Sequence, residues 1–144
     1  MSDVVRLGSP VDVIGAVPVL LGFEPELSCS VLVMGVDGRV VVTARVDLAD
    51  VAMPGTGFAE NLAALQARHG VSSVVVLHGD VLEEASSAVR QLVSAGLVIR
   101  DAFAVVGGSW WWVEPVSGAV VVGGVVPEVP SAAAIEARVC CTSR

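Results

Sequence analysis

The stretch that decides the fold is SCSVLVMGVDGRVVVTARVDL, residues 28–48. Residues 28–36 form an almost continuous apolar run, which is typical of a strand buried on both faces. Asp37-Gly38 is a dipeptide that strongly indicates a two-residue hairpin turn, and residues 39–48 return as a strand with alternating side chains. The alternation assigns to one face Val40, Val42, Ala44, Val46 and Leu48, and to the other Val41, Thr43, Arg45 and Asp47.

Helical segments and further strands alternate along the rest of the chain. Capping residues, helical spacing and glycine or proline stops predict helices at Pro10–Ala16 (ended by Pro18), at Phe58–Gly70, between the capping box Asp80-x-x-Glu83 and Gly96, and at Ser131–Val139. Strands are expected at Val74–Leu77, Leu97–Val106, Ser109–Glu114 and Ala119–Val122. Hairpins mixed with β-α-β crossovers predict an α/β (mixed α+β) fold, with one mixed sheet and helices packed on its faces.

The composition bounds the size and the partners of the protein. The 144 residues fit one domain, which we place at residues 1–139, with a frayed tail at residues 140–144. The formal net charge is -7 and all eight basic residues are arginine, so a basic patch cannot form. We therefore expect no binding to nucleic acid or to anionic membranes. Since no long apolar run and no signal-peptide pattern is present, we expect a cytoplasmic location.

The cysteines and histidines do not form the pattern of a metal site. Cys29, Cys140 and Cys141 are too few for a disulfide framework, and His69 and His78 lie far from them in sequence. The chain also lacks the glycine-rich phosphate loops and the nucleophile motifs of common enzyme families. We expect reduced thiols, no metal, no cofactor and no catalytic residue.

Five residues are candidates for binding a small ligand. Arg45 and Asp47 share one strand face, where they either hold a polar ligand or form a polar network or an exposed surface. His78 ends a predicted strand just before a helix, which is the usual place of ligands in open α/β sheets, although a plain loop histidine is the alternative. Phe23 lies in a turn that is either a ligand loop or purely structural. Asp101 is the fifth candidate and lies on a later strand.

Three consecutive tryptophans, Trp110, Trp111 and Trp112, are the most unusual feature of the sequence. On a strand, Trp110 and Trp112 point one way and Trp111 the other, so both faces carry a large aromatic surface. Tryptophan is enriched at the centres of protein interfaces. We therefore expect the tryptophans, together with Val121 on the next strand, at an interface between copies of the chain.

The order of several motifs resembles the DUF4192 family. Similar motifs are the run Pro18–Pro25 followed by Ser28, the stretch Ala44–Leu48, and Asp101 leading into Gly107–Trp111. The resemblance covers nearly the whole chain and implies an actinobacterial or phage source, with a host or phage protein among the candidate partners. The family has no assigned function. Its members often carry a cysteine-rich segment after the paired tryptophans, whereas residues 113–118 hold no cysteine.

Two functions lead on these grounds. The first hypothesis is a small cytoplasmic, non-catalytic binding or assembly module that forms a homo-oligomer. The alternative is an enzyme or sensor that binds a small polar metabolite near Phe23, Arg45, His78 and Asp101. Nucleic-acid binding is the third hypothesis, because the net negative charge of the chain disfavours it.

Overall fold

The computed structural model describes residues 9–23 and 25–126, and these residues build one open sheet with helices on both faces. The strands are β1 (Ser28–Met34), β2 (Val40–Asp47), β3 (Ser72–His78), β4 (Ile99–Val106), β5 (Ser109–Val113) and β6 (Val120–Val125). The helices are α1 (Pro10–Leu21), α2 (Leu48–Ala52), α3 (Phe58–His69) and α4 (Leu82–Ser94). The predicted helix Ser131–Val139, the tail at residues 140–144 and two of the cysteines lie outside the described residues.

The six strands follow the order β2-β1-β3-β4-β5-β6. Only β3 and β4 pair in parallel, and α4 is the crossover between them; the other neighbours are antiparallel. All seven residues of β1 are buried, as expected for a strand with neighbours on both sides and helices on both faces. The predicted mixed α/β fold with a single mixed sheet is confirmed.

The two faces of the sheet are covered unequally. Helices α2, α3 and α4 pack on one face, over a core that includes Val31, Val33, Val75, Leu77 and Leu92. The other face, which we call the α1 face, carries α1. Its core consists of Val13, Ile14, Val17, Leu32, Met34, Val74, Val76, Phe103 and Trp110.

The first hairpin forms where the sequence predicts it, but its loop is longer by one residue. The Gly35 N–H donates to the Arg39 carbonyl at 2.8 Å and the Gly38 N–H to the Gly35 carbonyl at 3.0 Å, which makes a three-residue loop with Gly38 in the left-handed region. A bulge follows, since Val33 pairs with Val42 but Met34 pairs with Val40. The bulge turns Val40 onto the α1 face, so its predicted place beside Val42 is wrong.

Helix α1 continues through Pro18, so the predicted end near Ala16 is wrong. Ser9 caps the helix by accepting the Asp12 N–H at 3.2 Å, and the left-handed Gly22 ends it. Proline removes one hydrogen bond from a helix interior. Burial of apolar residues on both sides of the proline offsets this loss, since Ile14 and Val17 are buried and Leu20 and Leu21 pack on the same core.

Several other boundaries differ from the sequence prediction; for example, the last described strand is Val120–Val125 instead of Ala119–Val122. Leu48 does not end β2 but begins the short helix α2, where it is fully buried. Asp80 does not cap α4: the N-cap is Val81 and no side chain bonds to the helix start. The predicted capping box is therefore wrong by one residue, because the turn after His78 delays the first helical residue.

Candidate functional site

Four of the five candidate ligand residues project from the α1 face. Residues that pair directly across neighbouring strands point to the same side of a sheet. Asp47 pairs with Ser28 and Arg45 with Ser30, and Ser28 in turn pairs with His78. Asp101 reaches the same face through its pairing with Val74, a member of the α1-face core.

These four residues fall into two groups at opposite ends of the strands. Asp47 and His78 flank Ser28 at one end, with Arg45 beside them. Asp101 lies four residues before Val105, the partner of His78, which is about 13 Å along a strand. Phe23 lies after the C-cap of α1 and is about half exposed. The five candidate residues therefore do not line one common pocket.

Arg45 forms a surface ion pair with Asp47, one of the other two residues of the first group. Its guanidinium donates to Asp47 Oδ1 at 2.7 Å and to the backbone carbonyl of Glu26 at 3.2 Å. The neighbouring Leu27 has φ +44, a left-handed conformation that costs a residue other than glycine about 1–2 kcal/mol. The Arg45 contact and the Leu48 N–H, which donates to the Leu27 carbonyl at 2.9 Å, hold this strained segment in place.

Three buried polar atoms belong to residues of β1 and β3 at this end of the sheet. Ser28 Oγ, Ser30 Oγ and His78 Nδ1 have no hydrogen-bond partner among the described residues, and both serines are fully buried. Burial lowers the pKa of His78 to about 4, so the imidazole is neutral at pH 7. Sequence reasoning missed Ser28 and Ser30, although two alternating serines in an otherwise apolar buried strand are a signal of a polar stripe.

A cleft of about 340 Å³ opens at this end of the sheet, and we call it the His78 cleft. It lies at the carboxyl ends of the parallel strands β3 and β4, where open α/β sheets commonly hold ligands. The lining residues are Pro25, Glu26, Leu27, His78, Gly79, Asp80 and Val105. The Gly79 N–H donates to the Val105 carbonyl at 3.1 Å, which fixes the floor of the cleft to β4.

The tryptophans alternate across the sheet as predicted. Trp110 is buried on the α1 face, where its ring meets Phe103 edge to face at 5.9 Å, and Trp112 lies 4.8 Å from the same Phe103 ring. Trp111 packs on the opposite core. Gly123 on β6 makes room for Trp110, because a Cβ there would come within 2.1 Å of the indole. The three side chains thus differ in role, and only Trp112 is exposed.

Asp101 belongs to a second cavity, beside Trp112. This cavity of about 400 Å³ is mainly apolar and is lined by Arg100, Asp101, Ala102, Trp112, Val113, Glu114, Pro115, Ala119 and Val121. Arg100 Nε lies 3.5 Å from Asp101 Oδ2, so the two charges offset each other. Hydrogen bonds from the Ser117 backbone and side chain lower the pKa of the exposed Glu114 at the rim.

Other chemistry is sparse in the part of the chain that the structure describes. Burial raises the pKa of the Cys29 thiol to about 12, which makes it unreactive. Among residues 9–23 and 25–126, no three side chains of His, Cys, Asp or Glu are grouped so that they could hold a metal ion. The same residues include no helix that is long and apolar enough to span a membrane.

We expect the substitution Arg45→Ala to lower the free energy of unfolding by about 1 kcal/mol or less. The side chain of Arg45 is 30% exposed and that of Asp47 is 62% exposed, so water screens the pair. The effect should shrink at high salt. Urea unfolding at low and high salt measures it, with Arg39→Ala at the more exposed Asp37 pair as the control. A loss of several kcal/mol would instead support the buried polar network that the sequence left open.

The geometry defines the class of protein: a mixed α/β domain with an open six-stranded sheet, a polar cleft at one end and an aromatic strand beside one edge. Residues 10–144 match the family model described as "Domain of unknown function (DUF4192)". The chain therefore belongs to the DUF4192 family, as the sequence motifs predict. No curated protein and no solved structure shows significant similarity to the chain.

Proposed function

We propose that this domain is a non-catalytic assembly module that pairs with a second copy of itself through the outer edge of β6. The observation that carries the proposal is the chemistry of this edge. β6 has the sequence VVVGGV without a single charge, and Val121, Val122 and Val125 are 62%, 61% and 77% exposed. Within residues 9–23 and 25–126, no strand pairs with the outer side of β6.

The opposite edge of the sheet supports this assignment by contrast. Proteins protect open edges from pairing with bulges and with charged side chains. β2 has both, namely the bulge opposite Val33 and Met34 and the Arg45–Asp47 ion pair. β6 also shows a register shift, between Trp110 and Trp111, but it has no charge. Of the two edges of the described sheet, β6 is therefore the less protected, because it lacks the charged side chains of β2.

A second copy is the partner that fits this edge best. The chain has a net charge of -7, so two copies repel one another overall, and this repulsion is weakest where uncharged surfaces meet. Antiparallel pairing of β6 with β6 uses the same surface on both copies and closes with two-fold symmetry. The assembly would be a dimer with one continuous sheet.

The proposed lack of catalysis rests on the state of two reactive groups among the described residues, His78 and Cys29. A general base works best with a pKa near the operating pH. His78 has its pKa lowered to about 4, and the Cys29 thiol is protonated and fully buried. Neither group is suited to start a reaction at neutral pH.

Light scattering coupled to size exclusion tests the proposed dimer over a tenfold dilution. We expect a mass of about twice 14.7 kDa for the wild type. Val121→Lys should weaken the dimer at least about 100-fold, because it would place an unpaired ammonium in the interface. The matched control is Val41→Lys on the β2 edge, where the valine is 47% exposed; this variant should stay dimeric.

Circular dichroism shows whether each variant is folded. A folded wild type that remains monomeric at high concentration would refute the proposal. A Val121→Lys variant that dimerises like the wild type would refute it as well, and so would a Val41→Lys variant that becomes monomeric.

A further inference from the structure

The α1 face of the sheet is covered only in part. The six strands, spaced about 4.8 Å apart, make a sheet about 24 Å wide between its outer strands. A helix with its side chains is only about 10 Å across. Within residues 9–23 and 25–126, α1 is the only helix on this face, whereas three helices pack on the other. The α1 face therefore has room for a second helix, over β5 and β6.

A groove marks this uncovered strip, and we call it the Trp112 groove. It consists of two neighbouring cavities of about 400 Å³ and about 120 Å³, which share Arg100, Asp101 and Trp112. The smaller cavity reaches the buried Phe103 and is bounded by Val13 of α1. Trp112 is 39% exposed, although its ring packs on that of Phe103. An exposed apolar surface of this kind marks an interaction site.

We propose that the C-terminal segment, residues 127–144, packs in the Trp112 groove and completes the α1 face. The segment lies outside the described residues, but the point at which it leaves the sheet is known. The Val126 N–H donates to the Gly108 carbonyl at 2.9 Å, and the Val126 side chain packs against the α1-face core. The chain therefore leaves β6 on the face that carries the groove.

The segment is long enough to return over the groove. Val121, which lines the groove, lies five residues before Val126, or about 16 Å along the strand. Residues 127–130 include two prolines, which cannot donate backbone hydrogen bonds and are suited to end the strand. A helix over the predicted range Ser131–Val139 would be about 13 Å long. It would therefore span most of the distance from Val126 back to Val121.

The residues of this predicted helix suit an apolar groove. Ala132, Ile135 and Val139 recur at helical spacing and form one apolar stripe. Residues 132–134 are all alanine, so no bulky side chain keeps this part of the helix away from the indole ring of Trp112. Ile135 is the largest side chain of the stripe and is the one that we expect to enter the groove.

Two other occupants of the groove have less support. Residues 1–8 join the domain beside the groove, because Ser9 lines its smaller cavity. The family match, however, begins at residue 10 and extends to residue 144, so it includes the C-terminal segment and excludes residues 1–8. A second copy paired through β6 would extend the sheet sideways and leave the α1 face of β5 and β6 open. The inference is thus independent of the proposed dimer, which uses the outer edge of β6.

Acrylamide quenching of tryptophan fluorescence in the full chain tests the proposal. Trp110 is buried and Trp111 packs on the opposite core, so quenching depends mainly on whether Trp112 is covered. Ile135→Asp should lower the ratio of docked to undocked segment at least about 100-fold, because it removes a buried isoleucine and places a carboxylate in an apolar groove. Quenching should therefore rise. Ala133→Asp is the matched control and should be quenched like the wild type, because it adds the same charge on the opposite side of the helix.

Two further variants identify the side chains involved. In a Trp112→Phe background, Ile135→Asp should no longer raise the quenching, because the indole that it uncovers is absent. Ile135→Ala adds no charge and should raise the quenching in the same direction but by less. Circular dichroism shows that each variant is folded.

Several results would overturn the proposed packing of the segment. They are an Ile135→Asp variant quenched like the wild type, an equal rise in Ala133→Asp, and a rise that persists without Trp112. Quenching of the wild type that increases on dilution would assign the groove to a second copy and would overturn it as well. The dimer proposal is decided by the measured mass and not by quenching, so either proposal can fail alone.

Discussion

Replacing Phe103 with alanine should lower the free energy of unfolding by about 3–5 kcal/mol, the usual cost of deleting a fully buried aromatic ring. Phe103 is 2% exposed and lies on β4 between Val76 of β3 and Trp112 of β5. Its ring contacts the rings of both Trp110 and Trp112. The substitution removes the apolar area and also two aromatic contacts worth about 0.5–1.5 kcal/mol each.

Urea unfolding at one fixed protein concentration measures this effect, because self-association would otherwise add to the apparent stability. Tryptophan fluorescence should change in the folded variant, since two of the three indoles lose a neighbour. Phe23→Ala is the matched control: its ring is 52% exposed, so we expect a loss of less than about 1 kcal/mol. Equal losses in the two variants would contradict the placement of Phe103 at the centre of the α1-face core.

The elements that follow from local patterns could be predicted from the sequence. The apolar run of β1, the hairpin around Gly38 and the helix α3 each depend on periodicity and on turn residues within a few positions. The crossover from β3 through α4 to β4 also follows, because two apolar strands separated by an amphipathic helix favour a parallel pair.

The elements that were mispredicted depend on contacts with distant parts of the chain. Helix α1 continues through Pro18 because residues on both sides of the proline pack against the sheet. These contacts are made with distant parts of the chain and cannot be seen in the local sequence. The bulge that turns Val40 onto the α1 face is a property of the pairing with β1. Asp80 has the right residue type for a cap, but the length of the preceding turn decides which residue occupies that position.

The sequence predicted which residues contribute to the candidate site better than it predicted which of them lie close together. Arg45 and Asp47 pair as their shared face indicates, and His78 lines a cleft at the strand ends. The separation of Asp101 from His78 depends on the register of β3 against β4, which is set by the fold as a whole. The alternation of Ser28 with apolar residues is visible in the sequence, but its two neighbours across the sheet, Asp47 and His78, follow only from the strand pairing.

The glycine at the end of α3 is another residue whose role cannot be predicted from the local sequence. In the sequence, Gly70 serves as a stop signal for the helix. Its observed φ is -157°, an extended conformation that any residue adopts, so conformational freedom does not explain the glycine. The lack of space for a side chain explains it. A Cβ at this position would lie 2.3 Å from the Met34 carbonyl oxygen and 2.6 Å from Val33 Cγ1. The end of α3 crosses the end of β1 at closer range than any side chain permits.

The substitution Gly70→Ala should therefore lower the free energy of unfolding by about 3 kcal/mol or more, at the upper end of overpacking effects. A flexible side chain can move away from a new methyl group, whereas the Met34 carbonyl belongs to the backbone of β1 and accepts the Val71 N–H at 2.9 Å. Gly35→Ala is the matched control, because its nearest neighbour is the exposed Asp37 carboxylate at 3.3 Å. Urea unfolding should show a change below about 1 kcal/mol for the control. A Gly70→Ala variant as stable as the wild type would mean that α3 and β1 do not cross this closely.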